Sequence, residues 1–318
     1  MLDVRRLQML RAVSREGSVS AAARALGYTQ PAVSHHIARL EAEVGTALIT
    51  RLGRGVRLTD AGSALVEHAE AVLTRLTAAE EEVAAIAGLR AGRVRVVTFP
   101  SGSATLMAGA LTRMRAAHPG VEVSFEEAEP EDAIPQLRAG DADLVLAFSY
   151  AAVGTHDGRD LETVELLYDP SLAVVHPNHP AAADAPPLAL ERLASDTWIA
   201  GCERCRGHLL HLTRAAGFTP GIAYATDDYV TVQSLVAAEL GVTLQPALAL
   251  VAARRDDVAI RPLAGDPVRT VEVVMSAAER RPPAVVAMLA ALRAASADLA
   301  ATPEAAALGI RVRCSASG

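Results

Sequence analysis

A chain of 318 residues that is 51% apolar and 21% charged can bury cores for two or three domains and remain soluble. Its net charge of −7 is uneven: residues 1–60 hold nine Arg against five acids, and the remaining 258 hold 21 Arg against 32 acids. A basic head on an acidic body limits any polyanion partner to the head. No run of 18 apolar residues lacks a charge, which argues against a spanning helix, and the charged start MLDVRRLQML lacks a signal-peptide core. The expectation is a cytoplasmic protein with no membrane partner. Three cysteines argue against a disulfide framework.

Leu7, Leu10 and Val13, spaced three apart, predict a helix that Gly17 stops. Ser18 can cap a second helix, whose small residues Ala21, Ala22 and Ala25 permit close helix packing. Gly27 and Tyr28 make a turn. Thr29 then caps a third helix, with Pro31 tolerated in its first turn. Val33, Ile37, Leu40 and Val44 form its apolar stripe, and opposite lie Ser34, His35 and Arg39, with Gln30 at the leading tip. These side chains can reach phosphates or base edges. A solvated face on a small bundle is the competing reading. The next stretch, ALITRLGRGVRLTD (47–60), favours the first: two short strands flank Gly53-Arg54-Gly55 and carry Arg51, Arg54 and Arg57, as a wing clamping a DNA backbone would.

Thr59 caps a long helix predicted to reach about Ala87. Leu65, Ala69, Val72, Leu76, Ala79, Val83 and Ile86 follow in steps of four and three. That is the 3.5-residue period of a coiled-coil seam, sustained for about three heptads. The alternatives are an inter-chain coiled coil and a core helix packing on its own chain. Pairing two heads would match a DNA target with two half-sites.

From Arg93 strands and helices alternate. Strands are predicted at 93–99, 121–127, 143–148, 171–176, 197–201, 222–226, 242–245 and 268–276, and helices around 103–117, 131–139, 205–216, 229–239 and 283–298. Such alternation predicts parallel sheets with crossover helices, here as two lobes and a cleft. The expected fold is α/β. It comprises a winged helix-turn-helix (1–59), a long linker helix (60–90) and a two-lobed domain (91–299), which by the resemblance described next are the DNA-binding domain, the dimerising linker and the effector-binding domain. Lobe I of the last would be 91–167 with 269–299, and lobe II 168–268. A small-residue tail (300–318) is expected to be loose.

Taken together these residues resemble a LysR-type transcriptional regulator. The resemblance is strongest over LQMLRAVSREGSVSAAARALGYTQPAVSHHIARLEAEVGTALITRLGRGVRLTDAG (7–62) and weaker at AAGFTP (215–220) and LVAAELGVTLQPALAL (235–250). Leu48-Ile49-Thr50-Arg51 departs from the usual Leu-Phe-x-Arg, and His35-His36 from the usual Arg or amide. The resemblance implies a two-lobed effector domain like that of periplasmic binding proteins. It also implies a homodimer through the linker helix, assembling into a homotetramer, that binds double-stranded promoter DNA and responds to a small-molecule effector. RNA polymerase is a further expected partner. By the same resemblance Gln30, Pro31, Ser34 and His35 approach bases, while Thr29, Arg39, Arg51, Arg54 and Arg57 approach phosphates.

The effector is expected between the lobes, at the carboxyl ends of the strands. The first such end is Thr98-Phe99-Pro100-Ser101-Gly102-Ser103, where hydroxyls meet helix N–H groups, so Thr98, Pro100, Ser101 and Ser103 are candidates for a small organic anion. Plain helix capping by the serines explains the same residues. Phe148, Cys202, Thr226, Asp228, Gln245 and Pro246 end other strands, with Asp228 also suited to capping. An aromatic content of 3% argues against a stacking cage for a large planar ligand.

GCERCRGHLLH (201–211) admits three readings. Cys202, Cys205, His208 and His211 could hold a metal, although the spacing is compressed for zinc. Cys202 and Cys205 could be a redox pair at a helix N-terminus. Or the cysteines are small apolar fillers. A redox- or metal-responsive regulator is thus the alternative to ligand control. No phosphate-binding glycine loop, G-x-S-x-G elbow or metal triad is evident. An enzyme and a cofactor are therefore not expected, and an enzyme of unknown chemistry is the rival class.

Overall fold

The computed structural model describes residues 2–52, 55–86, 92–152, 158, 160–278 and 281–313. The chain divides into two compact units, Met1–Leu89 with Arg138–Asp141, and Arg90–Leu137 with Ala142–Gly318.

In the first unit, α1 (Val4–Glu16) starts where Asp3 accepts from the Arg5 N–H at 2.8 Å, and ends at Gly17. α2 (Val19–Leu26) is capped by Ser18, whose Oγ accepts from the Ala21 N–H at 3.1 Å. α3 (Gln30–Val44) begins at Thr29, but the Thr29 hydroxyl makes no capping bond, contrary to expectation, and Pro31 relieves the first turn of one donor instead. Leu7, Leu10, Val13, Ala22, Val33, Ile37, Leu40 and Leu48 form one buried core. Each large member contributes roughly 2 kcal/mol of apolar burial.

β1 (Ile49–Leu52) and β2 (Gly55–Leu58) pair antiparallel, from Ile49 opposite Leu58 to Leu52 opposite Gly55. Glu41 of α3 fastens this hairpin, its Oε1 accepting from the Leu48 and Ile49 N–H groups at 2.8 and 3.2 Å. Thr59 caps α4 (Asp60–Ile86), its hydroxyl accepting from the Gly62 N–H at 3.0 Å and donating to the Ala47 carbonyl at 2.8 Å.

The predicted seam of α4 splits. Ala69 is buried and Leu65 packs on the three-helix core, so its first turns are core of their own chain. Beyond them Val72, Leu76 and Val83 are 46%, 37% and 65% exposed, an apolar stripe left uncovered among the described residues.

The second unit is a mixed sheet, not the parallel one expected. β3 (Gly92–Thr98) leads into α5 (Pro100–Gly102), a π-type turn (Ser103–Met107) and α6 (Ala108–Ala117). β4 (Val121–Glu127), α7 (Pro130–Ala139) and β5 (Leu144–Ser149) follow. β3 runs parallel to both β4 and β5. The next strand, β6 (Leu161–Val175), is 15 residues long, although only its end was predicted.

After β6 come β7 (Thr197–Ala200), α8 (Glu203–Ala215), β8 (Gly221–Ala225), α9 (Tyr229–Ala237), β9 (Thr243–Pro246) and α10 (Ala247–Ala252). The chain closes with β10 (Ala259–Pro262), β11 (Val268–Ser276), α11 (Pro283–Ala300), α12 (Pro303–Ala307) and β12 (Arg311–Val312). β7 and β8 pair parallel.

β11 lies antiparallel between β5 and β6, while the far end of β6 takes β9 and β10 antiparallel. β6 therefore runs through both halves of the sheet. One core extends with it, joining Val94, Leu144 and Leu292 on one side to Val174, Ile199 and Val236 on the other. α11 is apolar and 18 residues long, and its Val285, Met288 and Leu292 face is buried in that core. The start of the tail is ordered, contrary to expectation: β12 pairs with β6, and Ala305 and Ile310 are buried in the same core.

Candidate nucleic-acid interface and effector cleft

α3 turns one face into the helical core and the other outward. Thr29, Gln30, Pro31, His35 and Arg39 are exposed and Ser34 is half-buried. The Gln30 amide donates to Ser34 Oγ at 2.8 Å, which orders the leading tip. Arg57 is exposed on β2, and Arg51 occupies β1 opposite Val56. Arg54 lies outside the described residues. Tyr28, 46% exposed just before this helix, adds an aromatic at the same tip that the sequence reading treated only as a turn residue.

In the second unit a cleft opens where strand ends converge. It is a half-open depression with about 60 Å³ of interior space, and Pro100, Ser101, Phe148, Cys202, Thr226, Gln245 and Pro246 all line it. Three predicted residues do not. Thr98 is fully buried, its hydroxyl turned to the Phe99 carbonyl at 3.3 Å. Ser103 sits half-buried in the π-type turn. Asp228 caps α9, accepting from the Val230 N–H at 2.9 Å, and the neighbouring Asp227 lines the cleft instead.

The floor of the cleft is a buried charge that the sequence reading missed. Arg269 of β11 is 2% exposed, and its Nε donates to Asp169 Oδ2 at 2.8 Å. Its Nη2 donates to Ser101 Oγ, also at 2.8 Å. The guanidinium lies 4.9 Å from the Phe99 ring centroid and 4.4 Å from that of Phe148, an aromatic clamp. Asp169 also accepts from the Leu248 N–H at 3.0 Å. Burial pushes the Asp169 carboxyl upward, opposed by the attraction of Arg269. Burial likewise opposes the guanidinium charge, and Asp169 outweighs it, so Arg269 holds its proton more tightly than a free arginine.

Beside this pair stand the two thiols. The Cys202 S–H donates to Cys205 Sγ with the sulfurs 2.8 Å apart, and Tyr150 Oη donates to Cys205 at 3.8 Å. That hydrogen bond holds Cys205 below the usual thiol range, against its burial, and pushes Cys202 up. His208 stacks on Tyr150, centroids 3.9 Å apart, and among the described residues neither ring nitrogen has a hydrogen-bond partner. Burial lowers its pKa to about 4. Glu129 at the cleft wall is pushed up by burial.

The four metal candidates do not form one cluster among the described residues: Cys202 and Cys205 lie together at the cleft, His208 is stacked on Tyr150, and His211 is exposed.

A winged helix-turn-helix in one unit and a cleft-bearing mixed sheet in the other define a DNA-binding regulator with a ligand domain. Residues 4–63 match the bacterial regulatory helix-turn-helix proteins of the lysR family, and residues 87–297 match the LysR substrate binding domain. The chain belongs to the LysR family: it is a LysR-type transcriptional regulator with an effector-binding domain. It is 33% identical over 272 residues to the small neutral protease regulatory protein of Streptomyces coelicolor, covering 84% of this chain and 79% of that one. A full-length OxyR variant from Pseudomonas aeruginosa shares the fold with a TM-score of 0.70 at 22% identity, over 92% of this chain and 98% of that one. Full-length CbnR, solved with its target DNA, shares it with a TM-score of 0.52 at 23% identity, over 93% and 100%.

Proposed function

We propose that this regulator reads promoter DNA with α3 in the major groove and the β1–β2 wing on the backbone. It works as a homodimer joined through α4, two of which associate as a tetramer in the cytoplasm, and it acts on transcription by RNA polymerase. The observation that carries the reading is the polarity of α3. Val33, Ile37 and Leu40 are buried, while Gln30, His35 and Arg39 stand outward beside an arginine-bearing wing. Gln30, Pro31, Ser34 and His35 face bases; Thr29, Arg39, Arg51, Arg54 and Arg57 face phosphates. CbnR, which shares this fold, is the precedent for DNA binding.

The effector we place in the cleft is a small organic anion. The Ser101, Thr226 and Gln245 polar groups that converge on the cleft, with Arg269 held among them by Asp169, support a carboxylate ligand. Among the described residues Gln245 Oε1 is buried without a hydrogen-bond partner, which suits a ligand that also carries an N–H or O–H donor.

The test is binding to the DNA upstream of its own gene, followed by anisotropy over a salt series. Arg57→Ala should weaken binding to all duplexes and reduce the slope of log K against log salt by about one unit. An unchanged slope removes Arg57 from the interface, and no binding at low salt by the intact protein rejects the reading.

A further inference from the structure

We propose that Cys202 and Cys205 form a reversible dithiol–disulfide switch in the cleft wall, oxidised by a small hydroperoxide. This goes beyond ligand control, and its evidence is the arrangement of the thiols. The sulfurs stand 2.8 Å apart, one helical turn separating their backbones at the start of α8. Both line the cleft, so a small oxidant entering its mouth meets them.

The surroundings differentiate the two sulfurs. Cys205 accepts from the Cys202 S–H and the Tyr150 hydroxyl and lies in the field of Arg269, all of which favour its thiolate. Cys202 keeps its proton and serves as the resolving thiol. A pair of inert apolar fillers would instead leave both thiols above the usual range, since burial disfavours the anion. The same distance argues against a metal. Two sulfurs on tetrahedral zinc at about 2.3 Å each stand about 3.8 Å apart, wider than the observed pair.

The chemistry closes on these atoms. The Cys205 thiolate attacks one oxygen of the hydroperoxide, the O–O bond breaks, and the leaving alkoxide takes a proton from solvent to depart as an alcohol (water, for hydrogen peroxide). Cys205 is then a sulfenic acid. Cys202 sulfur attacks the Cys205 sulfur, the S–O bond breaks, and the departing hydroxide leaves as water with the Cys202 proton. Both thiols are oxidised by two electrons in total and the peroxide is reduced by two. A thiol or dithiol reductant reverses the reaction. Oxidation also removes the acceptor of the Tyr150 hydroxyl and a negative charge beside Arg269, so the cleft itself senses the change.

The experiment uses the full-length chain with Cys314→Ser, reduced, freed of reductant, and exposed to stoichiometric hydrogen peroxide. Intact mass and maleimide labelling then report the thiols. The expected result is loss of both thiols with two hydrogens gone and no oxygen added, reversed by dithiothreitol. An unreduced tryptic digest should contain residues 193–204 joined to 205–206. Cys202→Ser should stop at a sulfenic acid trapped by dimedone, and Cys205→Ser should react about tenfold more slowly. Two thiols still labelled after peroxide, or oxygen added to the Cys314→Ser chain without a disulfide, overturns the proposal, and neither outcome needs a change at either cleft cysteine. In the second arm, oxidised and reduced protein should differ about fivefold in affinity for the upstream DNA. Equal affinities overturn the switch while leaving DNA recognition intact.

Discussion

Asp169 and Arg269 show what burial demands of single side chains. Both are almost completely shielded, at 0% and 2% exposure. Removing either would strand a buried charge, a loss of about 3–5 kcal/mol. His208 illustrates the opposite solution, a buried imidazole that stays neutral. Its folded pKa of about 4 lies below the 6.5 of an unfolded histidine. Between those values the unfolded chain takes up a proton that the folded chain refuses, so stability is lost as pH falls through this window. His208→Phe, which preserves the stacking on Tyr150, removes that loss. Measured by urea unfolding at pH 7.5 and 4.5, wild-type protein should lose about 2–3 kcal/mol more than the variant. Equal losses would mean that the imidazole is protonated in the folded state. The sequence pointed to Ser101, Phe148 and Gln245 because they end strands that deliver their carboxyl ends to the cleft. Arg269 and Asp169 escaped notice because they lie within strands entering antiparallel. Their signal was a charge inside an apolar run, VRTVEVV and LLYDPSLAVV.

At the scale of elements, the join between wing and α4 depends on a missing side chain. A Cβ at residue 62 would stand 2.0 Å from the Leu48 carbonyl oxygen, a backbone atom that cannot swing aside. Glu41 already holds that segment of backbone through the Leu48 and Ile49 N–H groups. Gly62→Ala should therefore destabilise the first unit by about 1–3 kcal/mol, despite the better helix propensity of alanine, and should weaken DNA binding with it. Thermal unfolding with an unchanged midpoint would show that the hairpin can shift freely. The helices of this unit were legible because each starts after a residue of capping type, whether or not that residue caps it, and carries an apolar stripe of its own. In the second unit the parallel strands β3, β4 and β5 were legible for the same reason. The first ten residues of β6 were not, since LETVELLYDP mixes charges with a proline and is held as a strand by β11, about a hundred residues further on. β10 and β12 owe their existence to the same strand.

At the scale of the whole molecule, α4 carries the argument for assembly. Its heptad pattern was visible in the sequence, but a pattern cannot say which turns serve the chain's own core. The structure separates them: Ala69 and Leu73 are buried, whereas Val72, Leu76 and Val83 remain on the surface with Ala79 between them. Exposed aliphatic residues at such spacing are costly in water, and in the dimer we propose a second copy of the same helix would cover them by knobs-into-holes packing. A twofold-symmetric dimer of this kind presents two copies of α3, and two half-sites on DNA then bind with the advantage of linkage. Leu76→Asp places a charge in that seam without touching the core, since Leu76 is 37% exposed. The variant should keep its thermal midpoint for the second unit, dissociate toward monomer in light scattering, and bind an operator with two half-sites about 100-fold more weakly. Its affinity for a single half-site should be unchanged. An intact dimer in this variant would place the subunit contact elsewhere on the chain.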